Sequence, residues 1–243
     1  LTTDGSNRWV CGFLPQTAVW WNDFWDYGTV TRKGKTLWVQ LKNGDRDTTL
    51  CLKEGRDGAL LLGSDGRTFA TLGRDLVRRT TPAAEWKYDP EKYRNELYRP
   101  GTAVIRGILE GYTPQFGFTS GTLMSYDPIT RRDCAALIEV LPDGRFSAEI
   151  ETEHPKTLVM SLGPGTIRNL YVEPGDTLMC RFVMSDLQNP QCRSGMKDWS
   201  RSRFMGRAAE YNMYRMIADR IVPAQDSVYG RTCLLYTSPS PRD

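Results

Sequence analysis

Apolar and polar residues alternate along short stretches of this chain, which is the period of two expected of half-exposed β-strands. Val39 and Leu41 are aliphatic, for example, whereas the intervening Gln40 is polar. Turn residues separate these stretches, and Asn43-Gly44 is a dipeptide typical of type I′ hairpin turns, because both central residues of that turn need a positive φ. Residues 1–72 are therefore predicted to form a small antiparallel meander or barrel, with strands at residues 8–14, 17–21, 28–32, 36–42, 46–53, 59–62 and 67–72.

A second set of alternating stretches follows a segment that breaks the pattern. Residues 73–101 contain several prolines and are predicted to be a linker with one short helix at 90–97, because Asp89 can cap a helix that begins with Pro90. Turns at 141–144 and 173–176 combine proline with glycine. Residues 102–186 are predicted to form a β-sandwich of about seven strands, at residues 102–109, 119–126, 134–140, 145–151, 157–162, 167–172 and 177–184.

The pattern changes again after Pro190, and residues 187–232 are assigned to a loop followed by a helix. Apolar residues recur at helical spacing between residues 198 and 222, which predicts an amphipathic helix that ends before Pro223. Residues 233–243 resemble the translation of a sequencing adapter, so we exclude them as an artefactual tail. The overall prediction is a mostly β protein with a C-terminal amphipathic helix, cut short before a further domain.

The charges argue against two classes of partner. Lysine and arginine total 32 against 29 aspartates and glutamates, and the two signs are interspersed along the chain. Such a chain has no strong positive field for phosphate backbones or anionic lipids, so we expect no nucleic-acid partner. Its apolar runs are all shorter than the roughly 20 residues that span a bilayer, so we expect no transmembrane segment.

The cysteines and the histidine do not assemble a recognisable reactive motif. Six cysteines occur without a Cys-x-x-Cys pair, and we expect buried free thiols, with a Cys180–Cys192 bridge left open for an oxidising compartment. His154, the only histidine, precedes Pro155 in a turn-like stretch. Gly163-Pro164-Gly165 lacks the lysine of a phosphate-binding loop and is interpreted as a turn. No catalytic, cofactor-binding or metal-binding residue is predicted, and no cofactor is expected.

One cluster of aromatic and acidic residues is a candidate surface for a ligand or a partner. It consists of Trp20, Trp21, Asp23, Trp25 and Asp26. Aromatic faces stack on sugar rings and cover apolar side chains, and two carboxylates can act as the acid and base of a glycosidase. The cluster can also be the aromatic core of a small domain, which is the more common role of such residues.

The order of several motifs resembles the N-terminal region of envelope TlpA-type thiol-disulfide oxidoreductases, and the similarity covers most of the chain. The motifs are the aromatic stretch Trp20-Trp21-Asn22-Asp23-Phe24-Trp25-Asp26-Tyr27-Gly28, Leu41-Lys42-Asn43-Gly44, Tyr98-Arg99-Pro100-Gly101, residues 107–112, Asp143-Gly144-Arg145-Phe146, Glu173-Pro174-Gly175-Asp176, and residues 204–212. The aromatic stretch is the most specific of them.

The resemblance implies a function for the longer protein. In that family a β-rich accessory region and a helical segment precede a thioredoxin-like domain with a Cys-x-x-Cys site, and the proteins lie in the periplasm or cell envelope of Gram-negative bacteria. This chain is then expected to be the non-catalytic accessory region of a thiol-disulfide oxidoreductase, with the missing redox domain and envelope protein substrates as its partners. The alternatives are a cell-surface module that binds carbohydrate or peptide, and a glycosidase built on Asp23 and Asp26.

Overall fold

The computed structural model describes residues 2–3, 7–55, 59–64, 67–73, 99–127, 131–189 and 201–218. The predicted mostly β fold is confirmed, because two eight-stranded sheets contain most of these residues. We call residues 2–73 the first region and residues 99–218 the second region. The linker helix predicted at residues 90–97, Cys192 and the excluded tail lie outside the described residues.

The first region is a meander in which each strand pairs with the next one along the chain. All the pairs are antiparallel. The strands are β1 (Thr2–Thr3), β2 (Trp9–Phe13), β3 (Ala18–Trp20), β4 (Asp23–Lys33), β5 (Thr36–Asn43), β6 (Arg46–Glu54), β7 (Leu60–Ser64) and β8 (Arg67–Leu72).

Strand β4 joins the two halves of this sheet and carries a bulge in its middle. The pairing with β5 shifts between Tyr27 and Val30, and Gly28 lies so close to Gln40 that a Cβ there would be 2.9 Å from the Gln40 amide oxygen. A bulge bends a strand and increases its twist. The inner faces of the two halves pack into one cluster of buried residues: Cys11, Ala18, Trp25, Val39, Leu41, Leu50, Leu62 and Leu72.

The β5–β6 hairpin turns one residue later than the sequence predicts. Asn43 pairs with Arg46, so Gly44 and Asp45 are the central residues instead of Asn43 and Gly44. Gly44 has a φ of 58°, and Asp45 is not among the residues with positive φ. A glycine in the first central position is the requirement of a type II′ turn, so the type I′ prediction was wrong here.

The second region forms one mixed sheet in the order β14-β13-β10-β11-β12-β9-β15-β16. Its strands are β9 (Gly101–Glu110), β10 (Ser120–Asp127), β11 (Arg132–Val140), β12 (Arg145–Thr152), β13 (Lys156–Leu162), β14 (Gly165–Val172), β15 (Thr177–Val183) and β16 (Arg203–Met205). Neighbours pair antiparallel except β9 and β15, which are parallel. The described residues of the region also form a 3₁₀ helix (Pro114–Phe116) and the α-helices α1 (Met184–Gln188) and α2 (Ala209–Ala218).

The two halves of this single sheet pack against each other as two layers. Strands β11 and β12 pair only through Glu139 with Ser147 and Val140 with Phe146, at the end next to their hairpin. The halves β14-β13-β10-β11 and β12-β9-β15-β16 contribute side chains to one buried cluster, in which Leu123 and Phe182 are fully enclosed. The predicted sandwich therefore corresponds to one sheet folded over at the β11–β12 hairpin.

The end of the second region differs from the predicted helix of residues 198–222. Arg203–Met205 forms β16, which pairs with β15, and the structure places α2 at Ala209–Ala218. Asn212 on α2 is buried and accepts from the Tyr171 N–H at 2.9 Å, and its amide donates to the Tyr171 carbonyl oxygen, also at 2.9 Å. This side chain thus occupies the hydrogen-bonding edge of β14 in place of another strand.

The two regions contact each other through a small apolar cluster and a shared carboxylate. Trp9 and Val19 of the first region pack with Met179 and Met205 of the second region. Arg106 on β9 reaches across to Asp23, with 3.1 Å between its Nη1 atom and Oδ1. The ion pair with Arg106 therefore connects the start of β4 to the second region.

Candidate binding groove

An open groove of about 600 Å³ lies at one end of the first region. We call it the aromatic groove. Its apolar lining comes from β2, β3, the β3–β4 turn, β4 and β6: Val10, Trp20, Trp21, Trp25 and Leu50. Its polar lining consists of Arg46, Thr48 and Ser64. The curl of the sheet brings these residues together, because they come from strands that are far apart in the sequence.

Trp21 is the most exposed aromatic side chain of the groove. It is 76% exposed, and its ring meets that of Trp20 edge to face with 6.3 Å between the centroids. Covering an indole removes on the order of 150 Å² of apolar surface from water, which is worth about 3–4 kcal/mol before the costs of association. The exposed ring is therefore a strong apolar contact surface for whatever enters the groove.

The backbone beneath Trp21 has an uncommon conformation. Trp20 pairs with Asp23, and the two residues between them, Trp21 and Asn22, have φ values of 53° and 59°. A two-residue turn with both φ values positive normally contains glycine, because the left-handed conformation costs a side-chain-bearing residue about 1–2 kcal/mol. Strained conformations of this kind cluster at functional sites. The Met205 sulfur accepts the Asn22 N–H at 3.0 Å and so anchors the turn to the second region.

Trp25 forms the floor of the groove. It is buried, and its indole N–H donates to the Trp20 carbonyl oxygen at 2.8 Å, which satisfies its polar group. The guanidinium of Arg46 lies over its ring, 5.2 Å from the centroid. Trp25 is thus a member of the core that also lines the groove, and the ligand-binding interpretation of the cluster stays a prediction for the exposed Trp21.

The carboxylate of Asp23 is held by two arginines and by a backbone N–H. It pairs with Arg46 at 2.9 Å and with Arg106 at 3.1 Å, and one of its oxygens also accepts the Phe24 N–H at 2.9 Å. It therefore orients Arg46 above Trp25 and links the two regions.

Asp26 does not join the groove. It is exposed on β4, and successive side chains in a strand point to opposite faces, so Asp23 and Asp26 lie on opposite sides of the strand. A glycosidase needs two carboxylates that flank one bond, and this pair does not converge. The glycosidase alternative is therefore contradicted by the geometry.

Thiol and phenol groups outside the groove are shifted toward their neutral forms. Cys11, Cys51, Cys134 and Cys180 form no disulfide within the described residues, and complete burial raises the pKa of the Cys180 thiol well above its usual value. Burial also raises the pKa of Tyr27, whose hydroxyl donates to the Leu14 carbonyl oxygen at 2.8 Å. Such thiol and phenol groups stay protonated at neutral pH.

His154 is half-buried and lines a second cleft, of about 540 Å³, together with Cys134 and Glu151. The described residues contain no group of three or more histidine, cysteine, aspartate or glutamate side chains placed to hold a metal ion. Within the same residues, the helices are too short and too polar to cross a membrane. Comparisons with protein-family profiles, with curated proteins and with solved structures found no match to this chain.

Proposed function

We propose that this chain is the non-catalytic accessory region of a thiol-disulfide oxidoreductase similar to the envelope TlpA-type proteins, and that its aromatic groove binds extended segments of the enzyme's protein substrates. The setting would be the periplasm or cell envelope of a Gram-negative bacterium. The observation that carries the binding role is Trp21, an exposed indole held on a strained turn at the mouth of an open groove.

The chemistry of the groove favours apolar peptide side chains. Five of its lining residues are apolar, and the charge of Arg46 is already paired with Asp23. Unfolded or partly folded proteins expose apolar side chains on extended backbone, and a disulfide-exchanging enzyme acts on such chains before they are buried. Aromatic side chains supply large, rigid contact surfaces at a low cost in conformational entropy.

Two of the motifs that carry the resemblance have defined structural roles. In Glu173-Pro174-Gly175-Asp176 the Asp176 N–H donates to the Glu173 carbonyl oxygen at 3.2 Å, and Gly175 supplies a φ of 68°, which fits a turn with proline second and glycine third. Asn212 closes the edge of β14. The Pro174-Gly175 turn and the Asn212 side chain are thus explained by local geometry, and the family relationship itself stays a proposal.

Replacing Trp21 tests the groove. We expect Trp21→Gly to weaken binding of a labelled, extended peptide with central leucine and phenylalanine residues by at least about tenfold, which is about 1.4 kcal/mol. The free energy of unfolding should change by less than about 1 kcal/mol, because relief of the left-handed conformation offsets the extra freedom of glycine in the unfolded chain. Fluorescence anisotropy and urea denaturation measure the two quantities.

The matched control is Tyr214→Ala, which removes an aromatic side chain of similar exposure on α2, away from the groove. Peptide binding should be unchanged in this variant. Equal affinity of the wild type and Trp21→Gly for the peptide would overturn the role of the groove.

The proposed parent enzyme is tested separately, by reading the DNA that follows the Arg231 codon in an independent clone. Absence of a thioredoxin-like Cys-x-x-Cys domain there would overturn the proposal that the chain belongs to a thiol-disulfide oxidoreductase.

A carbohydrate ligand is the second candidate, because Arg46, Thr48 and Ser64 place polar groups beside the indole faces. A glycan array distinguishes the two ligands. Binding of a defined glycan that Trp21→Gly abolishes, combined with no binding of the apolar peptide, would replace the peptide proposal with this one. Trp25→Ala is less suitable for this purpose, because Trp25 is part of the buried core.

A further inference from the structure

Strand β11 has one free hydrogen-bonding edge. On one side it pairs with β10 along its whole length, from Arg132 with Asp127 to Glu139 with Ser120. On the other side its pairing with β12 ends at Glu139. Among the residues that the structure describes, no backbone partner is present on that side between Asp133 and Ile138.

The backbone directions along β11 identify the groups at this edge. The Val140 N–H points toward β10, because it donates to the Thr119 carbonyl oxygen at 2.9 Å, whereas the Leu141 N–H donates to the Arg145 carbonyl oxygen at 2.8 Å. Backbone direction alternates between successive residues of a strand. The N–H and C=O groups of Asp133, Ala135 and Leu137 therefore face the open side.

The open side leads into the cleft of about 540 Å³ between β11 and β12. Cys134 of β11 and Glu151 of β12 lie on opposite walls of it, and Lys156 at the start of β13 lines it as well. The two strands diverge from their hairpin, so the cleft widens away from Val140. A partner strand would lie about 4.8 Å from β11 on this side.

The outer edge of β14, at the other end of this half of the sheet, has a side-chain partner. This edge is blocked at Tyr171 by Asn212, which bonds both backbone groups of that residue. Exposed strand edges invite pairing with other chains, and folded proteins cover the edges that must stay free. The contrast singles out the β11 edge as one that the fold leaves available.

The exposed face of β11 indicates which side chains could pack on this strand. Its outward residues are Asp133, Ala135, Leu137 and Glu139, all exposed, with Leu137 at 70%. Met124 and Tyr126 of β10 extend this apolar face beside it. The row therefore has an apolar centre between two acidic ends, about 20 Å apart at the usual rise per residue.

We propose that the β11 edge binds an extended segment of another polypeptide by strand addition, and that this segment carries apolar residues at alternate positions between two basic residues. The partner strand forms the missing ladder with Asp133, Ala135 and Leu137. Its basic residues pair with the carboxylates of Asp133 and Glu139, and its inward side chains enter the cleft. This site is independent of the aromatic groove.

A backbone-blocked peptide gives the direct test. The probe is a labelled, amidated peptide in which alternating valine and threonine lie between two lysines, and its partner probe carries N-methyl groups on the donors that face β11. We expect the unmodified peptide to bind the chain at least about tenfold more tightly than the methylated one, measured by fluorescence anisotropy. Equal binding of the two peptides, or no binding of the unmodified peptide, would overturn strand addition.

Variants of β11 locate the binding. Ala135→Pro removes an edge-facing N–H without touching the ladder to β10, and proline is tolerated at such positions. We expect it to weaken peptide binding about tenfold, whereas Ala135→Ser, which keeps the donor, leaves binding unchanged. If a folded Ala135→Pro variant keeps its affinity, the peptide binds somewhere other than the β11 edge. If that variant does not fold, the comparison between the unmodified and the methylated peptide tests strand addition instead. Changing Asp133 and Glu139 to their amides should reduce the salt dependence of binding.

Discussion

The first and second regions are both eight-stranded, but they distribute their apolar residues differently. Among the described residues, the main buried cluster of the second region contains 25 residues, whereas that of the first region contains eight. The first region instead leaves large apolar surface at its open end, where Trp21 and Trp20 line the groove. We call the second region the scaffold because it holds the larger buried cluster, whereas the first region leaves the indole of Trp21 exposed at the groove.

Contacts between the two regions connect the turn that carries Trp21 to the scaffold. Met179 and Met205 of the second region pack under Trp9 and Val19, and Met205 also accepts the N–H of Asn22 in the groove turn. The strained turn that presents Trp21 therefore rests on the better-packed region. The comparison predicts that damage to the scaffold affects the groove more than damage to the groove affects the scaffold.

The largest expected effect comes from the core of the scaffold. Phe182 is fully buried, with its ring 6.2 Å from Phe146 and 5.8 Å from Phe204. We expect Phe182→Ala to lower the free energy of unfolding by about 3–5 kcal/mol, through lost apolar burial and the cavity left behind. Urea denaturation followed by tryptophan fluorescence and by far-UV circular dichroism measures it. Two separate transitions, with the tryptophan signal unaffected, would show that the first region does not depend on the scaffold.

The next effect concerns the edge that α2 closes. Asn212→Ala leaves the partly buried N–H and C=O of Tyr171 without their partner, and we expect a loss of about 2 kcal/mol of stability. Chemical denaturation of this variant should be compared with that of Tyr214→Ala, whose exposed side chain on the same helix should contribute less than about 0.5 kcal/mol. Equal stability of the two variants would contradict the role assigned to Asn212.

The smallest effect is expected at the carboxylate between the regions. Asp23→Asn keeps an acceptor for the Phe24 N–H but weakens the pairs with Arg46 and Arg106. Both arginines are partly exposed, so the loss should be only about 1 kcal/mol and should shrink at high salt. Thermal unfolding at low and high ionic strength measures it. A loss that is independent of salt would mean that Asp23 acts through its hydrogen bond rather than through its charge.

Local sequence patterns predicted most of the strands. Strand β8 begins and ends at the predicted residues, because turn residues bound a short alternating stretch on both sides. Residues 203–205 were placed in a helix, because Phe204 and Met205 also fit helical spacing and their pairing with β15 is not local. Residues 23–27 were not recognised as the first half of β4, because adjacent aromatic and acidic residues hide the alternation.

The candidate site was only half visible in the sequence. Trp20, Trp21 and Trp25 line the groove as a cluster of neighbours along the chain, and their density was the signal. Arg46 and Ser64 were missed, because they reach the groove only through the curl of the sheet, which no short pattern encodes. Asp26 belonged to the predicted cluster but points to the other face of β4.

The parallel pairing of β9 with β15 sets the order in which the chain can fold during its synthesis. Val104 pairs with Thr177, so β9 lacks one of its two neighbours until β15 has left the ribosome. Pairings this distant in sequence are slow to form, because the loop must close before the contacts stabilise it. The nascent chain therefore exposes one edge of β9 while strands β10 to β14 are synthesised, and chaperones that shield strand edges can act in that interval.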